Sequence, residues 1–162
     1  MLMRTILVLS LCFLLSSCSL SGKAEPVEYF TLSKVKNSCI RLFDISGPAY
    51  LLTEKIVVKR PPHRVGSISG YYWISPLGSL LREVLTDRSA DRELTLLVED
   101  LSFNADSGMV VLKAAANRCF MVECEQSFFS IEQPVTARNA IDIVSAYQAV
   151  FEEVVKDVCP QN

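Results

Sequence analysis

The sequence contains a single histidine in 162 residues, His63, and this scarcity excludes several kinds of site. A metal centre with two or more histidine ligands is impossible, and few side chains remain for acid–base catalysis near neutral pH. Neither a glycine-rich phosphate loop nor a Gly-x-Ser-x-Gly nucleophile elbow occurs. The net charge of −2 provides no excess of positive charge for a nucleic-acid backbone. We therefore expect no enzymatic activity, no metal and no nucleic-acid partner.

The sequence also lacks an apolar run long enough to cross a bilayer as a helix, which takes about 20 residues. Its N-terminus has a shorter run, Ile6 to Leu15, which follows Arg4 and has the length of a signal-peptide core. The next residues, Ser16-Ser17-Cys18, complete a pattern that resembles the bacterial lipobox. In that motif the cysteine is lipidated and the chain is cleaved before it. An ordinary signal peptide or an uncleaved anchor is the alternative.

The lipobox resemblance divides the chain into three parts. Residues 1–17 are the signal peptide, 18–26 are the lipidated cysteine with a short linker, and 27–162 form a single periplasmic domain. Cys18 would carry a diacylglycerol and an N-acyl chain, and two or more acyl chains anchor a protein stably. Ser19 follows it, and in Gram-negative lipoproteins a residue other than aspartate at this position favours the outer membrane. We expect no other cofactor.

Four of the six cysteines remain once Cys12 is removed with the signal and Cys18 is acylated. An exported chain enters an oxidising compartment, where cysteines pair, and four cysteines allow three connectivities. One alternative is four free thiols. A zinc site is a less favoured alternative, because no CxxC pair occurs. We favour one bond across a hairpin tip and one that ties an early strand to the C-terminus: Cys119–Cys124 and Cys39–Cys159.

Seven segments have the composition of β-strands. Two further segments have apolar residues at helical spacing, Leu77 to Leu85 and Ala140 to Val158. Ser75 and Pro76 suit the N-cap and first position of the first helix, and Thr136 suits the cap of the second. The predicted strands are Val27–Leu32, Ile40–Ile45, Lys55–Arg60, Val65–Tyr72, Leu94–Phe103, Met109–Ala116 and Gln126–Ile131.

This order of elements predicts an α/β (α+β) domain. We expect one mixed, largely antiparallel sheet of about six or seven strands, packed against two main helices. The adjacent acids Glu99 and Asp100 are expected to be solvated surface charges, since neighbours on a strand point to opposite faces.

Several short motifs accompany the lipobox. They are Tyr29-Phe30-Thr31-Leu32, Tyr50-Leu51, Ile56-Val57 with Arg60, and Trp73 with Pro76-Leu77. In combination these motifs resemble the ABC-type transport auxiliary lipoproteins, a family that includes the lipoproteins of mammalian-cell-entry (MCE) transporters such as the paraquat-inducible system. The resemblance covers nearly the whole mature chain and departs from the family at Ile74, often alanine, and at the last hairpin tip, which often contains glycine.

The resemblance implies a non-catalytic accessory lipoprotein of an ABC-type, MCE-linked lipid transport system in the bacterial envelope. Its partners would be the membrane, through the lipid anchor, and an MCE-domain protein with the transporter subunits. It would also be able to form a homo-oligomer. The alternative function is a structural or assembly lipoprotein that supports insertion of outer-membrane proteins or lipopolysaccharide. A third is a lipid carrier that binds acyl chains in its own cavity.

Two apolar clusters are the candidate contacts with a partner. Tyr71, Tyr72 and Trp73 are of the type enriched at interface hot spots, although they would equally fill the core beneath the first helix. Phe120, Met121 and Val122 lie at a predicted loop tip, where exposed apolar side chains usually serve a partner or a membrane. A misplaced turn is the alternative for this second cluster.

Overall fold

The computed structural model describes residues 26–36, 38–60, 62, 64–90 and 92–159. They form seven strands, two α-helices and a short 3-10 helix at Ala49–Leu52. The α-helices are α1, Leu77–Leu85, and α2, Ala140–Val158. The strands are β1 Glu28–Phe30, β2 Ile40–Ser46, β3 Lys55–Arg60, β4 Arg64–Trp73, β5 Arg92–Asn104, β6 Met109–Phe120 and β7 Glu123–Pro134.

The strands form one mixed sheet in the order β1-β4-β3-β5-β6-β7, with β2 also paired to β5. The pairs β3–β4, β5–β6 and β6–β7 are antiparallel, whereas β1–β4, β2–β5 and β3–β5 are parallel. Strand β5 pairs with β2 through its first six residues and with β3 through its last two. The register shift between Val98 and Asp100 lies between these two stretches. The predicted fold class is confirmed.

Both helices cover the same face of the sheet and share one hydrophobic core. Leu81 and Leu85 of α1 and Val150 and Phe151 of α2 are fully buried, because their periodicity places them on one side of each helix. Trp73 lies at the centre, with its ring 5.2 Å from that of Tyr147 in an edge-to-face arrangement. Replacing such a buried aromatic side chain by alanine costs about 3–5 kcal/mol.

Both predicted helix caps are wrong, the first by one residue and the second by three. Helix α1 is preceded by Pro76 at the cap position, so Ser75 does not cap it. Helix α2 begins after Asn139, whose side chain accepts a hydrogen bond from the Asp142 backbone N–H at 2.9 Å. Asparagine is at least as good a cap as threonine, and here it lies directly before the first helical residue.

Strands β6 and β7 are several residues longer than their composition predicts. The segment from Asn117 to Phe120, which begins with two polar residues, continues the ladder because each residue has a partner on β7. Arg118 and Glu125 lie opposite each other and form an ion pair at 3.0 Å. Cross-strand pairing thus outweighs the weak strand propensity of these residues.

Candidate functional site

The hairpin tip, Phe120 to Glu123, is the most apolar exposed loop of the described chain. Its loop consists of two residues, Met121 and Val122, between the last register pair, Phe120 and Glu123. Met121 is 84% exposed, Val122 94% and Phe120 45%. The sequence prediction of an apolar turn here is confirmed, and the side chains are available for a contact with another molecule.

The backbone of the tip is held in an unfavourable conformation. Met121 has φ of +54°, in the left-handed region that glycine, asparagine and aspartate occupy most readily. A residue with a β-carbon pays about 1–2 kcal/mol there. A two-residue hairpin loop requires a positive φ at its first loop residue, so the turn itself imposes this conformation.

A disulfide closes the hairpin close to the loop. Cys119 and Cys124 are opposite each other in the register, with their Cα atoms 4.1 Å apart, and they are bonded to each other. The bond closes the hairpin one pair before the loop and fixes the separation of the two strands. The tip is therefore a rigid apolar projection rather than a mobile loop, which lowers the entropic cost of binding a partner.

Charged groups surround the base of the tip. The Arg92 guanidinium lies 5.9 Å from the centre of the Phe120 ring and donates to the Val158 carbonyl at 3.2 Å. The resulting recess beside the disulfide has a volume of about 610 Å³. An apolar centre bordered by charged groups is the usual composition of a protein–protein contact.

The second predicted contact, Tyr71-Tyr72-Trp73, is divided by the fold. Trp73 is fully buried, so the expectation that it contacts a partner is wrong for this residue. It fills the core, as the alternative had it, but its ring packs against Tyr147 of α2. Tyr71 and Tyr72 are partly buried, and Tyr72 pairs with Tyr29 of β1 at 6.0 Å between ring centres. The aromatic residues at this position mainly attach the edge strand β1 to β4.

The other predicted cysteine pair is also present. Cys39 and Cys159 form a disulfide with a Cα–Cα distance of 5.6 Å, which ties the start of β2 to the end of α2. The Cys39 backbone N–H also donates to the Cys159 sulfur at 2.9 Å. Cys18, the predicted lipidation site, and His63 lie outside the described residues.

A half-buried polar cluster around Asp100 was missed by the sequence analysis. Asp100 forms an ion pair with Lys59 at 2.7 Å and accepts hydrogen bonds from the Tyr50 and Ser102 hydroxyls at 3.3 and 2.8 Å. The expectation that Asp100 is a solvated surface charge is therefore wrong. The register shift beside it turns its side chain toward β3, and single-strand alternation could not reveal that shift.

This cluster has the geometry of a brace between the 3-10 helix and the sheet. The Tyr50 hydroxyl accepts a hydrogen bond from the Leu101 backbone N–H at 3.0 Å while it donates to Asp100. Burial, together with the Asp100 carboxylate, raises the pKa of Tyr50 to about 12. The phenol therefore stays protonated near neutral pH and is unsuited to act as a base.

Within the described residues, no helix has the length and hydropathy to cross a membrane. Among those residues, no three or more His, Cys, Asp or Glu side chains are grouped to hold a metal ion.

Two solved structures share this fold. One, a crystal structure of an uncharacterised protein, superposes with a TM-score of 0.70 at 15% identity and covers 83% of this chain and 97% of its own. The other is protein XCC0632 from Xanthomonas campestris, assigned to DUF330, with a TM-score of 0.58, 14% identity and coverage of 83% and 84%. At such identities the likeness extends to the fold alone. No family model and no curated protein matches the chain.

Proposed function

We propose that this protein is a membrane-anchored, non-catalytic accessory lipoprotein of an ABC-type, MCE-linked lipid transport system. Cys18 is the lipid attachment site, the outer membrane is its location, and the domain faces the periplasm. The motif resemblance described above supports the family. The structural observation that supports a binding role is the rigid apolar tip formed by Phe120, Met121 and Val122.

The tip favours a protein contact over a catalytic role for three reasons. Its exposed side chains are apolar and carry no nucleophile. The disulfide holds the loop in one conformation, as a preorganised contact requires. The flanking Arg92, Arg118 and Glu125 can supply the charged border that fixes the orientation of a partner.

Co-purification of the tagged full-length chain from its native envelope tests the proposed contact. We expect the wild type to retain an MCE-domain protein after mild crosslinking and a Met121→Ser/Val122→Ser variant to lose it. Leu52→Ser/Ile141→Ser is the matched control, because Leu52 and Ile141 are also apolar and 79% and 66% exposed but lie away from the tip. Recovery of a β-barrel protein instead would favour the assembly function.

The anchor is tested separately. Metabolic labelling with a fatty acid is expected to mark the wild-type chain and to leave a Cys18→Ala variant unlabelled. Labelling of the variant would contradict the assignment of Cys18.

A further inference from the structure

A second recess lies at the opposite end of the sheet from the hairpin tip and has a volume of about 730 Å³. Part of its wall is apolar and includes Val58 and Ile143. Three arginines, Arg60, Arg64 and Arg138, also line it, and none of its 12 lining residues is acidic. In a chain whose net charge is −2, this is a local concentration of positive charge beside an apolar wall.

The arginines are placed in a way that disfavours the empty state. Arg60 and Arg64 are direct register partners across the β3–β4 hairpin, and like charges in this position destabilise a sheet. None of the ion pairs among the described residues includes Arg60, Arg64 or Arg138. A bound anion would relieve this repulsion.

The third arginine is fixed by the adjacent turns. Arg138 has φ of +48°, and its guanidinium donates to the Asp106 carbonyl at 3.4 Å. It lies so close to Gly108 that a β-carbon there would be 3.3 Å from Nη2. The contacts of the side chain are thus with backbone groups, and no carboxylate of the described residues forms an ion pair with it.

The linker is long enough for the anchor to reach this recess. Strand β1 is parallel to β4, so the chain runs into β1 from the direction of Arg64. The Pro26 carbonyl lies beside Gly70, six residues along β4 from Arg64, a distance of about 20 Å at about 3.4 Å per residue. Pro26 follows Cys18 by eight residues, a span of at most about 29 Å when extended. A lipidated Cys18 can therefore lie at the end of the sheet that holds the arginines.

We propose that this recess binds the phosphate of an anionic membrane phospholipid, with the adjoining glycerol and upper acyl segments against the apolar wall. Arginine is suited to this ligand because its planar guanidinium forms paired hydrogen bonds with phosphate oxygens. The volume lies in the range of small-molecule sites, about 300–1,000 Å³. That the lipid comes from the membrane rests on the function proposed above. That the recess binds a phosphate beside an apolar group rests only on the residues that line it.

Titration of the full-length chain in neutral detergent with short-chain lipids tests the ligand class. The probes are dihexanoyl phosphatidylglycerol, dihexanoyl phosphatidylcholine and glycerol 3-phosphate. Their binding is measured by isothermal titration calorimetry at two salt concentrations. We expect phosphatidylglycerol to bind at least about tenfold more tightly than either other probe, and more weakly as salt is raised. Equal binding of phosphatidylcholine would overturn recognition of the anion, and equal binding of glycerol 3-phosphate would overturn the lipid as ligand.

A pair of charge-matched variants tests the location. Arg60→Gln/Arg64→Gln is expected to weaken phosphatidylglycerol binding at least about tenfold. Lys36→Gln/Arg88→Gln removes the same charge from exposed positions away from the recess and is expected to bind like the wild type. Equal weakening by both variants would show general electrostatic attraction and would overturn the site.

Two further variants test the third arginine and the role of the anchor separately. Arg138→Gln removes the third arginine without changing a strand and is expected to weaken binding in the same direction, so that unchanged affinity would contradict the proposal. Cys18→Ala retains the recess and is expected to bind phosphatidylglycerol normally. Normal binding by Cys18→Ala together with a failed co-purification would refute the transport function while leaving the lipid site standing.

Discussion

Removal of the Cys39–Cys159 disulfide is expected to destabilise the domain far more than removal of Cys119–Cys124. The two bonds span sequence separations of 120 and 5 residues. In the chain-entropy model, loops of these lengths correspond to about 5 and about 2 kcal/mol of stabilisation at 25 °C. The difference of about 3 kcal/mol arises in the unfolded state, because a cross-link over a long loop excludes more unfolded conformations.

Equilibrium unfolding in urea can measure this difference. The variants are Cys39→Ala/Cys159→Ala and Cys119→Ala/Cys124→Ala, and emission from Trp73, the only tryptophan, reports loss of the core. We also expect the urea m-value to rise in the first variant, because an unfolded chain without the long loop exposes more surface.

If the two variants lose equal stability, or if the short-loop variant loses more, loop closure does not govern the contribution of these bonds. An unchanged m-value in Cys39→Ala/Cys159→Ala would point instead to local contacts in the folded state, such as the hydrogen bond from the Cys39 N–H to the Cys159 sulfur.

Three smaller perturbations test other parts of the structure. Asn139→Ala removes the cap of α2 and is expected to cost about 1 kcal/mol in the free energy of unfolding, measured in urea; no loss would contradict the cap. Met121→Asn relieves the left-handed residue and is expected to stabilise the domain by up to about 1 kcal/mol; destabilisation would argue against strain at the tip. Because the folded pKa of Tyr50 is raised to about 12, stability is expected to fall as the pH rises from 10 to 12, and less steeply in Tyr50→Phe. Burial also raises the pKa of Tyr147, so a decline remains in that variant. An identical decline in Tyr50→Phe would show that Tyr50 does not contribute.

Much of the fold could be predicted because local signals agreed with one another. Strand β3 has the predicted bounds, Lys55–Arg60, since a run of β-branched residues lies between basic residues and two prolines follow it. Apolar spacing located the buried faces of both helices. Pairing between distant strands was not predictable: β2 and β3 share one edge of β5, and the register shift near Glu99 that permits this has no short-range signature.

One candidate site could be predicted from the sequence and the other could not, for the same reason. The hairpin tip was visible in the sequence because Cys119 to Cys124 is local, and two cysteines five residues apart indicate a closed turn. The arginine recess was not visible, since Arg60, Arg64 and Arg138 come from a hairpin and a distant loop that only the sheet order brings together. Trp73 shows the opposite error: an aromatic residue has the composition of an interface hot spot, but burial decides its role.

The two proposed sites lie at opposite ends of one continuous hairpin, and this arrangement suits an anchored adaptor. Strand β6 begins beside the turn that holds Arg138 and ends at the tip after 12 residues, a length of roughly 40 Å at about 3.4 Å per residue. With the arginine end held at a membrane by lipid and linker, Met121 and Val122 would be presented toward the periplasm. Because β6 pairs along its whole length with both β5 and β7, the separation between membrane and partner would be set by a rigid element rather than by the linker.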